Sequence, residues 1–281
     1  MKKDQMLTRR RVLLGGATTL GAAGAGAAGL LLTGSSGTPA ARPAAPAAGP
    51  QARVALRPSA YRLQPLTGYG PPHAAPAPLA VRQEAFVRMP GRGRTILLTF
   101  DDGPDPRYTP KILDTLARYG VHATFFVCGE QASENLRLLG RMADEGHIVG
   151  NHTWSHPLLT AMSRDGISSE MTRTSKVIES GYGEPPRWFR APYGAWNRTV
   201  FRLGAELGME PLAWTVDTND WATPGTGSIV RSVENGAAPG VVVLSHDAGG
   251  DRSQSVQALS DYLPRLLDSG YHLTVPRRNT F

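Results

Sequence analysis

Cysteine is almost missing from this chain of 281 residues. Cys128 stands alone, which excludes an internal disulfide framework and any cysteine-rich zinc module. Its place at the end of the apolar run Ala123-Thr124-Phe125-Phe126-Val127 predicts a buried structural thiol. Acids are scarce in the first third: residues 1–94 hold 13 Lys and Arg but only Asp4 and Glu84. The remainder holds 17 bases and 21 acids. The net charge of +7 therefore sits in the N-terminal third, and it does not describe a basic nucleic-acid-binding domain.

What the N-terminal third does contain is a basic head and a mild apolar body. Lys2, Lys3 and Arg9-Arg10-Arg11 precede an uncharged stretch of Gly, Ala and Leu from Val12 to Leu32. That order predicts an export signal over residues 1–40, and adjacent arginines before Val12-Leu13 resemble a twin-arginine motif. The stretch is also long enough to span a bilayer, so a membrane anchor is the alternative. Cleavage after Ala40 would remove five bases and one acid and leave a net charge of +3. Residues 41–90 are rich in Pro and Ala, with too little large apolar material to offset the entropy of ordering. They read as a disordered linker whose positive charge suits contact with an anionic cell wall.

From Thr95 the pattern changes to short apolar runs alternating with helical periodicity. Strands are expected at 95–100, 122–128, 147–150, 187–189, 211–216, 241–245 and 272–275. Helices are expected at 109–120, 133–146, 166–180, 197–207, 227–235 and 253–268. The alternation predicts an α/β fold, a distorted (β/α) barrel of about seven parallel strands occupying residues 91–281.

The polar clusters all follow strand ends, which converge on one face of a barrel. Asp101-Asp102 follow the first strand, His152 and His156 the third, and Arg190 the fourth. Asp217 to Trp221 follow the fifth, and Ser245-His246-Asp247 the sixth. Two imidazoles four residues apart can share one ion, and Asp102 can complete a three-ligand site with open positions. Adjacent carboxylates at such a mouth repel unless a cation or a shared proton relieves them, so a metal on one and a base role for the other accounts for both. His246 remains open between third ligand, general acid and packed histidine. Asp220 is able to hold that imidazole and favour its protonation.

Five motifs then carry a resemblance. Thr99-Phe100-Asp101-Asp102-Gly103-Pro104, His152 with His156, Arg190-Ala191-Pro192-Tyr193-Gly194, Asp217-Thr218-Asn219-Asp220-Trp221 and Leu244-Ser245-His246 resemble, in order, those of the polysaccharide deacetylase family. This family is also known as the NodB homology domain or carbohydrate esterase family 4. The likeness covers about residues 95–276. It implies a hydrolase with one divalent metal, zinc or else cobalt, held by Asp102, His152 and His156. It implies Asp101 as general base, the Tyr193 backbone N–H as oxyanion donor and His246 as general acid. By the same resemblance Arg190 orients Asp101, Asp220 tunes His246, and Pro192, Trp221 and Leu244 belong to the substrate pocket.

The function expected is an exported N-deacetylase of chitin-like oligomers or peptidoglycan, working as a monomer. O-deacetylation of acetylxylan is the close enzymatic alternative, because the motifs do not separate amide from ester. A non-catalytic wall protein would show a broken motif, and none is broken. Trp154 and Trp196 are candidates to stack on sugar rings or to pack inside.

Overall fold

The structure is a computed structural model, and it describes residues 79–89 and 93–277. The export signal and most of the linker lie outside the described residues. Within them no helix is long and apolar enough to cross a membrane.

Among the described residues, eight strands form one parallel sheet: β1 (Thr95–Asp101), β2 (Thr124–Val127), β3 (Ile148–Asn151), β4 (Trp188–Phe189), β5 (Glu210–Pro211), β6 (Val216–Asp217), β7 (Val241–His246) and β8 (His272–Leu273). Their order is β5-β4-β3-β2-β1-β7-β6, with β8 paired to the start of β1. Seven helices connect them: α1 (Thr109–Arg118), α2 (Gly129–Glu134), α3 (Leu136–Asp144), α4 (Arg164–Tyr182), α5 (Arg198–Glu206), α6 (Thr226–Gly236) and α7 (Ser253–Asp268). The sheet curls into a partial barrel with helices packed outside, as the sequence pattern predicts.

Period-2 alternation divides the strand residues between two cores. Ile96, Leu98 and Phe100 face outward with Phe125, Val241 and Val243, packing beneath α1, α6 and α7. Leu97, Phe126, Trp188, Leu212 and Val242 face inward and fill the barrel. Continuing that alternation along β1 and β7 puts Asp101 and His246 on the inner side at the strand tips, and register pairs these two residues.

Two expectations are corrected. The strand expected at 211–216 is two strands, β5 and β6, on opposite edges of the sheet. Between them the chain crosses the gap: Leu212 N–H donates to Phe189 and Thr215 N–H to Val242, while Leu212 and Ala213 present their carbonyls to Arg190. The helix expected at 133–146 is broken at Asn135, whose φ of −131° and ψ of 41° end α2 before α3 begins.

The linker expected over residues 41–90 ends earlier than that, because residues 79–89 lie against the barrel. Phe86 N–H donates to Pro211 O at 3.0 Å, Ala213 N–H to Phe86 O at 2.7 Å and Met89 N–H to Gly240 O at 2.9 Å. Arg82 adds a bidentate ion pair to Glu210 at 2.9 and 3.1 Å. This segment occupies the gap that β5 and β6 leave open.

Candidate active site

The polar clusters gather at the carboxyl ends of the strands. All six non-glycine residues with positive φ among the described residues lie on these loops: Asp102, Thr153, His156, Tyr193, Asn219 and Thr223. Left-handed backbone is costly for such residues and persists where the surroundings over-determine it.

Asp101 leaves β1 into the barrel mouth, 3% exposed. Arg190, fully buried at the end of β4, donates to Asp101 Oδ1 at 2.7 Å and to Thr99 Oγ1 at 2.8 Å. Its other nitrogens donate to the carbonyls of Leu212 at 3.0 Å and Ala213 at 2.9 Å, and its plane lies over Phe126. Five aligned donors suit this task, which lysine's point charge would not perform. Burial pushes the Asp101 pKa up, and Arg190 acts against that without cancelling it.

Asp102, His152 and His156 converge within 4.8 Å. Asp102 Oδ1 lies 3.5 Å from His152 Nε2 and 3.4 Å from His156 Nε2. Two ligands of a tetrahedral zinc, each about 2.0–2.1 Å away, lie roughly 3.3 Å apart, so this spacing suits one shared ion better than direct hydrogen bonds. His152 Nδ1 meets the Arg190 carbonyl at 2.8 Å, which fixes its tautomer and leaves Nε2 as the free lone pair. Burial, followed by the neighbouring His156, brings His152 down to about 3, so the ring is neutral. Asp102 Oδ1 is buried without a hydrogen-bond partner, as expected of an atom reserved for a cation. One carboxylate and two imidazoles form a donor set that zinc or cobalt accepts.

His246 ends β7. Its Nδ1 contacts Asp220 Oδ1 at 2.6 Å and its backbone N–H donates to Asp220 Oδ2 at 2.9 Å. Burial pulls the imidazole down, but the hydrogen bond and charge of Asp220 outweigh it and hold His246 at about 9. Asp220 also accepts from Ser255 Oγ at 2.6 Å, and its pKa is lowered despite burial, chiefly by its hydrogen bond with His246.

Tyr193 sits in a turn with φ 61°, its ring 4.6 Å from that of His156. The turn is closed by Gly194 N–H to Ala191 and Ala195 N–H to Pro192, which leaves the Tyr193 N–H out of its ladder. Tyr193 and Trp221 are 67% and 52% exposed, unusual for large aromatics. Pro192 and Leu244 are buried behind them.

Trp154 packs beneath Arg173 and against Gly129, and Trp196 stacks on Phe201 and meets Phe189 edge-on. Packing therefore accounts for both rings. Cys128 is buried, with its pKa raised well above the usual thiol range by desolvation.

Two residues escaped the sequence reading. Asp247 was visible only as the neighbour of His246. It is buried against Gly103, accepts from Thr109 Oγ1 at 2.5 Å, and is pushed up to about 7 by desolvation. Arg252 is buried and ties down the loop after β7, donating to the carbonyls of Ala248, Gly249 and Asp220. No local motif announces a lone arginine before a helix.

Comparison with known proteins places the chain in a family. The family model for polysaccharide deacetylase matches residues 88–212. A peptidoglycan-N-acetylglucosamine deacetylase of Bacillus cereus is 41% identical over 185 residues, 65% of this chain and 86% of the relative. The chain belongs to the polysaccharide deacetylase family. A second polysaccharide deacetylase, the chitooligosaccharide deacetylase of Rhizobium leguminosarum, is 40% identical over 64% of this chain and 89% of its own length. Among solved polysaccharide deacetylases, a peptidoglycan N-acetylglucosamine deacetylase bound to 4-naphthalen-1-yl-N-oxidanyl-benzamide superposes with a TM-score of 0.66. It is 36% identical, over 69% of this chain and 91% of that one.

Proposed function

We propose that this chain is an exported, metal-dependent N-deacetylase that hydrolyses the acetamido group of N-acetylglucosamine residues in peptidoglycan or chitin-like oligomers. The observation that carries the reading is the pairing of a carboxyl group and an imidazole at one barrel mouth, each held by its own buried partner. Asp101 is positioned by Arg190, and His246 is held by Asp220, which favours its protonated form. A base and an acid at adjoining strand tips are what amide hydrolysis requires.

Asp102, His152 and His156 would hold the ion, which when bound supplies Lewis acidity to the acetyl carbonyl and to a water. Asp101 takes a proton from the attacking water as its oxygen bonds to the carbonyl carbon. The Tyr193 N–H donates to the oxygen that gains charge. His246 gives its proton to the departing amine nitrogen as the C–N bond breaks, so acetate and a free amino sugar leave. Arg190 and Asp220 are buried behind Asp101 and His246 and act through them as positioning residues. Trp221 and Leu244 wall the acetyl group.

Export rests on the basic head and apolar body within residues 1–40. The zinc-loaded protein incubated with chitooligosaccharides, peptidoglycan and acetylxylan tests the whole reading through the acetate released. Release from the N-acetylated glycans is expected, and release from acetylxylan alone would overturn the amidase assignment.

A further inference from the structure

Of the cavities outside the machinery described above, one is lined by three arginines. A groove of about 300 Å³ opens between residues 81–83 and the start of α5, lined by Arg82, Gln83, Trp196, Asn197, Arg198 and Arg202, among others. Among the described residues no acid lines it, in a domain where acids outnumber bases. Arg82 is engaged by Glu210, but Arg198 and Arg202 are exposed and make no ion pair with any described residue. Phe201 and the Trp196 ring stacked on it form an aromatic wall, with ring centroids 5.3 Å apart.

The placement of these arginines opposes helix electrostatics. Arg198 is the first residue of α5, where the helix dipole is positive and acids are favoured. Arg202 lies four residues on, about 6 Å along the same face, so the two like charges repel. The first turn holds no acid to relieve them. An anion in the groove would neutralise both guanidinium groups and complement the helix N-terminus together.

The groove and the proposed oxyanion donor share one loop: Trp196 is three residues from Tyr193, a stretch of at most roughly 11 Å when fully extended. The proposal requires that a glycan strand with its acetamido group at Tyr193 extend along this loop toward α5.

We propose that this groove binds carboxylate substituents of the glycan strand being deacetylated, so that the enzyme takes acidic, peptidoglycan-type strands in preference to neutral chitin-type ones. The inference rests on the deacetylase reading above and selects between the substrate classes that reading leaves together.

The test measures KM and kcat of the zinc-loaded protein on carboxylate-bearing peptidoglycan strands, on the same strands after carbodiimide amidation, and on neutral chitooligosaccharides. Wild type should show a lower KM on the carboxylated strands, rising with added NaCl. Arg198→Gln/Arg202→Gln should raise that KM about five- to tenfold with kcat held. Its KM on amidated strands and chitooligosaccharides should move less than twofold, which also certifies the fold. Equal KM values for wild type and variant on carboxylated strands overturn the proposal, as does a rise of the same size on neutral oligomers. Wild-type activity confined to neutral oligomers overturns it while leaving the deacetylase reading intact. Acetate release from none of the three glycans removes both.

Discussion

Asp220 receives both N–H groups that His246 can offer it, the ring nitrogen at 2.6 Å and the backbone amide at 2.9 Å. One buried carboxylate thus fixes the orientation and the charge of the imidazole together. A general acid works only while protonated, so deacetylation should persist through neutrality and fail as pH rises through about 9. Asp220→Asn should bring that alkaline limb down to or below the ordinary histidine range near ~6.5. The rate profile against pH in wild type and variant checks this. Stability follows the same sign: the raised His246 pKa contributes fully below its unfolded value and is lost as pH climbs through about 9.

Asp101→Asn should lower turnover by about 10²- to 10⁴-fold, the range expected for losing a positioned base. The amide keeps the shape of the carboxylate, and the Asp102, His152 and His156 cluster is untouched. Metal content measured beside acetate release separates the two roles. Full activity in the variant would refute Asp101 as the base.

Arg190→Met should destabilise the fold by about 3–5 kcal/mol, because it leaves Asp101 buried with an unpaired charge. The carbonyls of Leu212 and Ala213 lose their partners as well. Urea unfolding monitored by tryptophan fluorescence gives the difference. A change under 1 kcal/mol, as for an exposed ion pair, would contradict the burial argument.

Chelation should abolish activity, and added zinc should restore it. Metal bound at 1,000 times its Kd stabilises the folded state by about 4 kcal/mol, so the melting temperature should fall on chelation and recover with zinc. His152→Ala should remove that thermal response. Unchanged melting in wild type would argue against a resident ion.

Gly103→Ala tests the turn beneath the site. A Cβ there would lie 2.2 Å from Asp247 Oδ2 and 2.3 Å from Oδ1, with both groups inside the fold. Overpacking of this kind costs about 1–3 kcal/mol. Since Asp102 is the next residue, zinc affinity should fall together with stability. Isothermal titration with zinc and denaturant unfolding report the two separately.

Much of the site was legible because its residues are local to strand ends. Asp101 with Asp102 and His152 with His156 lie within a few positions of each other, and alternation along β1 and β7 already aims the inward tips at one mouth. What could not be read depends on distant partners. The stretch 211–216 has the β-branched and apolar character of one strand. It becomes two because Arg190, some twenty residues earlier, takes the carbonyls of Leu212 and Ala213. Arg252 was illegible for the same reason: its four carbonyl acceptors are brought together only by the folded loops. Residues 79–89 were hidden by the Pro- and Ala-rich stretch that precedes them. Their order comes from backbone partners at Pro211, Ala213 and Gly240, more than a hundred positions away, and from burial of Met89 and Phe86 against the inner core.

That stapling segment also orders events in time. Arg82 finds Glu210, and Thr215 donates its hydroxyl to the Val87 carbonyl, each across 128 positions of chain. A ribosome delivers residues 79–89 before any strand of the barrel exists, so their partners arrive only when the domain is nearly finished. The seam between first and last pieces is a contact of high sequence separation, whose entropy is recovered late. Until it closes, the outer edge of β5 stands unpaired, which is the interval in which this domain is open to mispairing with a neighbour.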